Sequence, residues 1–193
     1  MSNEDFIRRI EAVDPAHAES MKQNPTTFET HAVPFYKRFK VLKALIRLQH
    51  KPVALAFADS GQELLPLNSE DDVYKVNGLE GLKLDANTAG PYVRMVLELT
   101  ARKLQLAERA DQVRWLPSTE TDPKQRAAKD EAAKKLHPVR AMDGGGGSYA
   151  VSFTAVRSDR ALVELEWTVA PDGRVTRGEE KVLVQTLPVP YVM

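Results

Sequence analysis

The sequence predicts an α+β fold in which a mostly antiparallel sheet packs against two helices. Three observations support this prediction. Apolar and polar residues alternate over residues 148–187, apolar residues recur every three or four positions over residues 88–109, and residues 122–136 are rich in alanine and charge. Alternation with a period of two is typical of a half-buried strand, whereas a period near 3.6 is typical of a helix with one buried face.

Residues 148–187 predict a meander of consecutive strands. Tyr149, Val151 and Phe153 alternate with small or polar residues, and a second alternating run ends at Pro171-Asp172-Gly173. These last residues predict a turn, because proline presets φ and glycine accepts positive φ. Strands joined by such short connections pair antiparallel. We expect the long helix of residues 88–109 and a flanking helix of residues 122–136 to cover this sheet.

The N-terminal residues predict a helical arm that precedes the main domain. Residues 1–30 contain an amphipathic helical pattern, interrupted at Asp14-Pro15, with few apolar residues. We expect this arm to be mobile or frayed, and residues 31–193 to form a single α+β domain. Residues 35–50 fit both a strand and a helix. The strand is favoured because the neighbouring residues 53–57 are also typical of a strand.

Turn signals assign the remaining segments. Residues 63–67 are expected to complete a hairpin, and residues 73–76 to form a short strand that ends at the turn Asn77-Gly78. Residues 112–116 are expected to form another strand. The glycine-rich run of residues 144–148, native or engineered, is expected to be a flexible connector. It does not resemble a phosphate-binding loop, because no lysine follows its last glycine.

Composition limits the classes of function. Lys and Arg number 27, as do Asp and Glu, so the formal net charge is +0. This balance argues against a general attraction to nucleic acid or to anionic membranes. The sequence contains no cysteine and no apolar run near the ~20 residues that a spanning helix needs. The N-terminal residues do not match a signal peptide. We therefore expect a soluble, cytoplasmic protein.

Candidate catalytic residues lie near the end of the strand at residues 53–57. Asp59 follows that strand, and it could act with His50 or Glu63 as acid and base in a pocket. Aspartate at such a position more often serves a turn. The sequence also contains four histidines without the spacing of a metal site: His17, His31, His50 and His137. No metal and no cofactor is predicted.

Two further groups of residues suggest binding surfaces. The first consists of aromatic residues that could line an apolar cavity, although large aromatics usually fill a core: Trp115, Tyr149, Phe153 and Trp167. The second consists of cations interleaved with aromatics, as on a nucleic-acid-binding surface: Lys37, Arg38, Lys40, Lys43 and Arg47. The neutral net charge favours a solvated face for this second group.

One segment resembles an uncharacterised bacterial protein family, a domain of unknown function. The resemblance covers about residues 64–92 and rests on four short pieces: Pro66-Leu67-Asn68, Tyr74-Lys75-Val76-Asn77, Leu82-Lys83-Leu84-Asp85 and Tyr92. It implies no specific activity. It implies that these pieces and the C-terminal strands belong to a single domain of a bacterial protein.

These patterns favour a non-catalytic binding or protein-interaction module. A protein partner, or a second copy, would bind the sheet face, an edge strand or the N-terminal arm. The first alternative is a pocket enzyme or small-ligand binder that uses a carboxylate and a histidine in a cone-like α+β fold. The second alternative is weak nucleic-acid binding by residues 37–51. No membrane partner is expected.

Overall fold

The computed structural model of the protein describes residues 2–101 and 103–190. Over these residues the chain forms five α-helices and two antiparallel sheets, one of four and one of five strands. The predicted α+β class is confirmed, but the strands divide between two sheets. The chain forms two compact units, Met1–Leu82 and Lys83–Met193, and each contains one sheet.

The first unit contains a four-stranded sheet and three helices. Its elements in chain order are α1 (Asn3–Glu11), α2 (Pro15–Gln23), β1 (Thr26–His31), β2 (Lys40–Ile46), β3 (Val53–Asp59), β4 (Leu64–Pro66) and α3 (Glu70–Glu80). The strands follow the order β1-β2-β3-β4, each antiparallel to the next. The strand favoured within residues 35–50 is confirmed as β2, and the hairpin at residues 63–67 is confirmed as β3–β4.

The two N-terminal helices pack against this sheet. Ile10 of α1 and Met21 of α2 are buried in the same apolar cluster as Leu42 and Ile46 of β2. Local capping sets the ends of the helices: Ser2 caps α1, and Asp14 accepts a hydrogen bond from the His17 N–H at the start of α2. These contacts anchor the segment that composition predicts to be mobile or frayed.

A domain is a part of the chain that can fold by itself. The predicted division into an arm, residues 1–30, and a domain, residues 31–193, concerns this ability and stays a prediction.

The prediction of a strand at residues 73–76 is wrong, because this segment belongs to α3. Ser69 accepts a hydrogen bond from the Asp72 N–H, and the acidic residues that follow Ser69 favour a helix N-terminus. Val73 and Val76 are buried on one face, three positions apart. Gly81 ends the helix in the left-handed conformation, with φ 63. The dipeptide Asn77-Gly78 therefore lies inside a helix and not in a turn.

The second unit contains the five-stranded sheet. Its elements are α4 (Ala89–Thr100), β5 (Leu104–Leu106), α5 (Pro123–Lys135), β6 (Arg140–Gly145), β7 (Ser148–Arg157), β8 (Leu162–Val169) and β9 (Val175–Val184), with short 3₁₀ turns at Ala110–Gln112 and Pro117–Glu120. The predicted meander is confirmed as β7–β8–β9. On its other side, β7 pairs with β6 near its start and with β5 near its end.

Three local predictions in this unit are wrong. The helix expected over residues 88–109 ends at Thr100, and β5 follows it; Arg102 lies outside the described residues. The strand expected at residues 112–116 is absent from the described chain, where Val113 follows a 3₁₀ turn. The glycine run is not a flexible connector, because Gly145 pairs with Ser148 and the run forms the β6–β7 hairpin turn. Positive φ at Gly146 and Gly147 explains the need for glycine there.

Candidate functional site

A cleft lies between α4 and β5 in the second unit. Its volume is about 490 Å³, within the range of about 300–1,000 Å³ typical of small-ligand sites. The residues that line it come from the end of α4 and from β5: Arg94, Leu97, Glu98, Ala101, Leu104, Gln105 and Leu106. A second concavity, between α5 and the chain near Leu187, is smaller, at about 250 Å³.

The cleft exists because the chain turns sharply after α4. Ala101 caps the helix with its N–H bonded to the Leu97 carbonyl, and the Leu104 N–H then bonds to the Ala101 carbonyl. β5 is held to the sheet by three residue pairs with β7, from Leu104–Arg157 to Leu106–Ala155. Helix and strand therefore diverge from a tight turn, and their apolar side chains line the space between them.

One charged residue of the lining, Arg94, is held in an ion pair with Glu108. The two guanidinium NH₂ groups bind the two carboxylate oxygens, one of them at 2.7 Å. Glu108 is buried, at 8% exposed, and also accepts the Val139 N–H at 2.9 Å. Burial raises the pKa of Glu108, but the hydrogen bonds from Arg94 and Val139 and the Arg94 charge lower it further, so the pKa lies below its ordinary value.

This geometry gives the cleft an apolar floor and a fixed ion pair at its border. Leu97 is 2% exposed, and Leu104 and Leu106 are half-buried. The ion pair locks Arg94 and keeps Glu108 ionised. The four histidines of the chain lie outside the lining. Proton transfer near neutral pH usually uses a histidine or a carboxyl group with a raised pKa.

In the structure, the side chains of the predicted catalytic residues Asp59 and Glu63 bind different partners. Asp59 ends β3 and is paired with Arg9, whose two nitrogens lie 2.9 and 2.6 Å from its carboxylate oxygens. His50 is exposed and lies before the start of β3, whereas Asp59 lies at the end of this strand, which is about 20 Å long at ~3.3 Å per residue. Glu63 is half-exposed and pairs with Arg38. Asp59 also accepts the Gly61 N–H at 2.7 Å, so it takes the turn role that is common for aspartate.

The predicted aromatic residues belong to different surroundings. Phe153 and Trp167 are buried and meet edge to face, with ring centroids 5.0 Å apart. The Trp115 indole N–H donates to the Ala110 carbonyl at 2.8 Å, and its ring packs against an apolar cluster near α5. Tyr149 is half-buried, with its hydroxyl 3.4 Å from the Leu84 carbonyl. None of the four lines either described concavity.

The basic stretch lies among acidic residues in the first unit. Arg38 pairs with Glu63 and stacks on Phe39, 4.9 Å from the ring centroid. The positive charge of Lys40 helps to lower the pKa of Asp59. Lys43 lies opposite Glu29 across β1 and β2, and Arg47 follows the end of β2. The surface is therefore mixed in charge, which favours the solvated-face interpretation.

The sequence did not predict this cleft. Leu97 and Leu104 lie on one apolar stripe of the helix expected over residues 88–109, but in the structure they line the cleft from a helix and from a strand. No glycine or proline marks the end of the helix near Thr100. The partnership of Arg94 with Glu108 spans a chain reversal, so no helical spacing predicts it.

Comparison with known proteins finds no match among family models, curated proteins or solved structures. Over residues 2–101 and 103–190, no group of three or more histidine, aspartate and glutamate side chains is placed to hold a metal ion. No helix in the same part of the chain is both long and apolar enough to cross a membrane.

Proposed function

We propose that this protein is a non-catalytic binding module whose ligand places an apolar group in the cleft between α4 and β5. The observation that carries the proposal is a cleft of about 490 Å³ whose floor is formed by leucine side chains. Exposed apolar surface of this kind gains about 25 cal/mol for each Å² that a ligand removes from water.

The fixed ion pair shapes the specificity of this site. Arg94 is already neutralised by Glu108, so it offers little net attraction to an anionic ligand. The proposed ligand is therefore a neutral amphipathic molecule, or an apolar side chain of a protein partner. A cytoplasmic location stays part of the proposal and rests on the composition of the sequence.

A cleft-filling substitution tests this proposal with the neutral apolar dye Nile red as the probe. Ala101→Trp fills the cleft from the end of α4, and Ala127→Trp adds the same side chain to an exposed position of α5. We expect the wild-type protein and Ala127→Trp to raise and blue-shift the dye fluorescence, with at least about tenfold weaker binding by Ala101→Trp. Equal dye binding by the wild-type protein and a folded Ala101→Trp variant would exclude the cleft as the site.

A second candidate function, strand addition, is favoured by the edge of the first sheet. β1 is the terminal strand and pairs with β2 in unbroken register from Thr26 to His31. The edge strand β9 of the other sheet is interrupted by two register shifts, which protect an edge from pairing. β1 is therefore the better template for a strand from a protein partner or a second copy.

The register identifies a substitution that blocks this edge. The Arg47 N–H donates to the Pro25 carbonyl, so the residues of β1 that bond to β2 are every second residue counted from Pro25. Thr30 is not one of these residues, and its N–H therefore points away from β2. Thr30→Pro removes that donor without breaking the pairing with β2. If β1 pairs with a second copy, light scattering detects a wild-type dimer that Thr30→Pro abolishes. A wild-type monomer at millimolar concentration removes self-pairing from this hypothesis.

A further inference from the structure

Three consecutive backbone N–H groups in the loop before β2 converge on one carboxylate. The N–H groups of Arg38 and Phe39 lie 3.0 and 3.3 Å from oxygens of Glu80, and the Lys37 N–H donates to the same group. Successive backbone N–H groups that point to one place form an anion-binding concavity, often called a nest. In this protein the carboxylate of Glu80, at the end of α3, occupies this nest.

Buried aromatic residues hold this loop in place. Phe35, Tyr36 and Phe39 are each less than a tenth exposed, while Lys37 and Arg38 between them are exposed. The Tyr36 hydroxyl donates to the side-chain oxygen of Asn77 at 2.6 Å, and Asn77 is itself buried on α3. The aromatic anchors thus fix the backbone independently of Glu80, and the three N–H groups are preorganised for an anion.

The position of Glu80 on its own helix is unfavourable. Glu80 is the last residue of α3, where the helix dipole is negative and cations are preferred, and the last turn has no basic residue. The acidic residues of the first turn, by contrast, lie where the dipole favours them. Glu80 is therefore held in place by the N–H groups of the loop, and the dipole of its own helix opposes this position.

We propose that the backbone of residues 37–39 is an oxyanion-binding site that Glu80 closes. The ligand is an exposed phosphate or carboxylate group, and the exposed residues Lys37 and Lys40 lie within this segment and directly after it in the sequence. Glu80 competes with the ligand within the same chain, so binding requires the carboxylate to leave. This site lies in Met1–Leu82 and is independent of the cleft in Lys83–Met193.

The test is a titration of the full chain with inorganic phosphate and, separately, with acetate at matched ionic strength. Backbone N–H resonances of residues 37–39 are followed by NMR in the wild-type protein, Glu80→Ala and Asp71→Ala. Asp71→Ala is the matched control, since it also removes one carboxylate from α3. Asp71 is exposed and Glu80 is half-buried. If the open state is populated to about 10% or less, Glu80→Ala binds at least about tenfold more tightly than the wild-type protein.

The expected result is a saturable shift of all three N–H resonances in Glu80→Ala, with wild-type behaviour in Asp71→Ala. Response to phosphate alone identifies a phosphate ligand, and response to both anions identifies a general oxyanion site. Glu80→Gln keeps an acceptor oxygen without the charge and should give an intermediate affinity. The proposal is overturned if a folded Glu80→Ala shows no shift, if Asp71→Ala gains equal affinity, or if both Glu80 variants unfold.

Discussion

Substitution of Ile10 by alanine tests whether the N-terminal helices are part of the folded core. Ile10 is fully buried among Leu42, Ile46 and Phe57. Ile10→Ala removes three carbon atoms, which lose about 2.4 kcal/mol of transfer free energy at ~0.8 kcal/mol for each carbon. A residual cavity adds to this loss, so we expect the free energy of unfolding to fall by about 2–4 kcal/mol.

The assay is urea unfolding followed by far-ultraviolet circular dichroism. Fluorescence alone is unsuitable, because both tryptophans, Trp115 and Trp167, belong to Lys83–Met193. The matched control is Val13→Ala in the same segment, where Val13 is 40% exposed. We expect this control to change stability by less than about 0.5 kcal/mol.

The result that would refute the packing argument is a loss in Ile10→Ala of less than about 0.5 kcal/mol, equal to that of the control. A frayed terminus predicts this outcome, because a side chain that is already in water loses no burial when it is shortened. A change in the slope of the free energy against urea would instead indicate altered compactness of the unfolded or native state.

Two further predictions concern Asp59 and Gly178. Burial raises the pKa of Asp59, but the hydrogen bonds from Arg9 and Gly61 lower it below its ordinary value, so Asp59 stabilises the fold above about pH 4 and loses this effect as pH falls through the folded pKa. Asp59→Asn should cost roughly 1–3 kcal/mol at pH 7, and urea unfolding at pH 3 should show a smaller difference; an equal difference at both values would contradict this. A Cβ at Gly178 would lie 2.5 Å from the Glu166 carbonyl oxygen, whereas one at Gly78 in α3 meets no atom within 4 Å. Gly178→Ala should therefore lower the melting temperature and Gly78→Ala raise it, and shifts of the same sign would refute the contrast.

The sequence predicted those elements for which a few neighbouring residues contain both the hydrophobic pattern and the turn or cap. The alternation over β7 and β8 and the turn Pro171-Asp172-Gly173 lie within one stretch of chain, and the meander is confirmed. α5 is also confirmed, with Asp122 as its N-cap and proline in its first turn. In both cases the residues that determine the structure are neighbours in sequence.

Other elements were missed because their signals are short or shared between two periods. The spacing of Val73 and Val76 fits a helix as well as a short strand. Only the N-cap residue Ser69 distinguishes the helix from the strand. β1 is mostly polar and exposed, and it becomes a strand by pairing with β2. The end of α4 at Thr100 carries no glycine or proline, so the reversal into β5 depends on pairing with β7.

The sequence by itself determined the α+β class, the meander and the balance of charge. Only the tertiary structure decided which side chains meet: Arg9 with Asp59, Arg94 with Glu108, and Glu80 with the backbone of residues 37–39. The physical reason is chain separation. Propensity and periodicity act over a few residues, whereas these partners are 14 to 50 positions apart or lie on separate elements, and packing brings them together. The cleft between α4 and β5 has the same origin, since the pairing of β5 with the distant strand β7 decides where α4 ends.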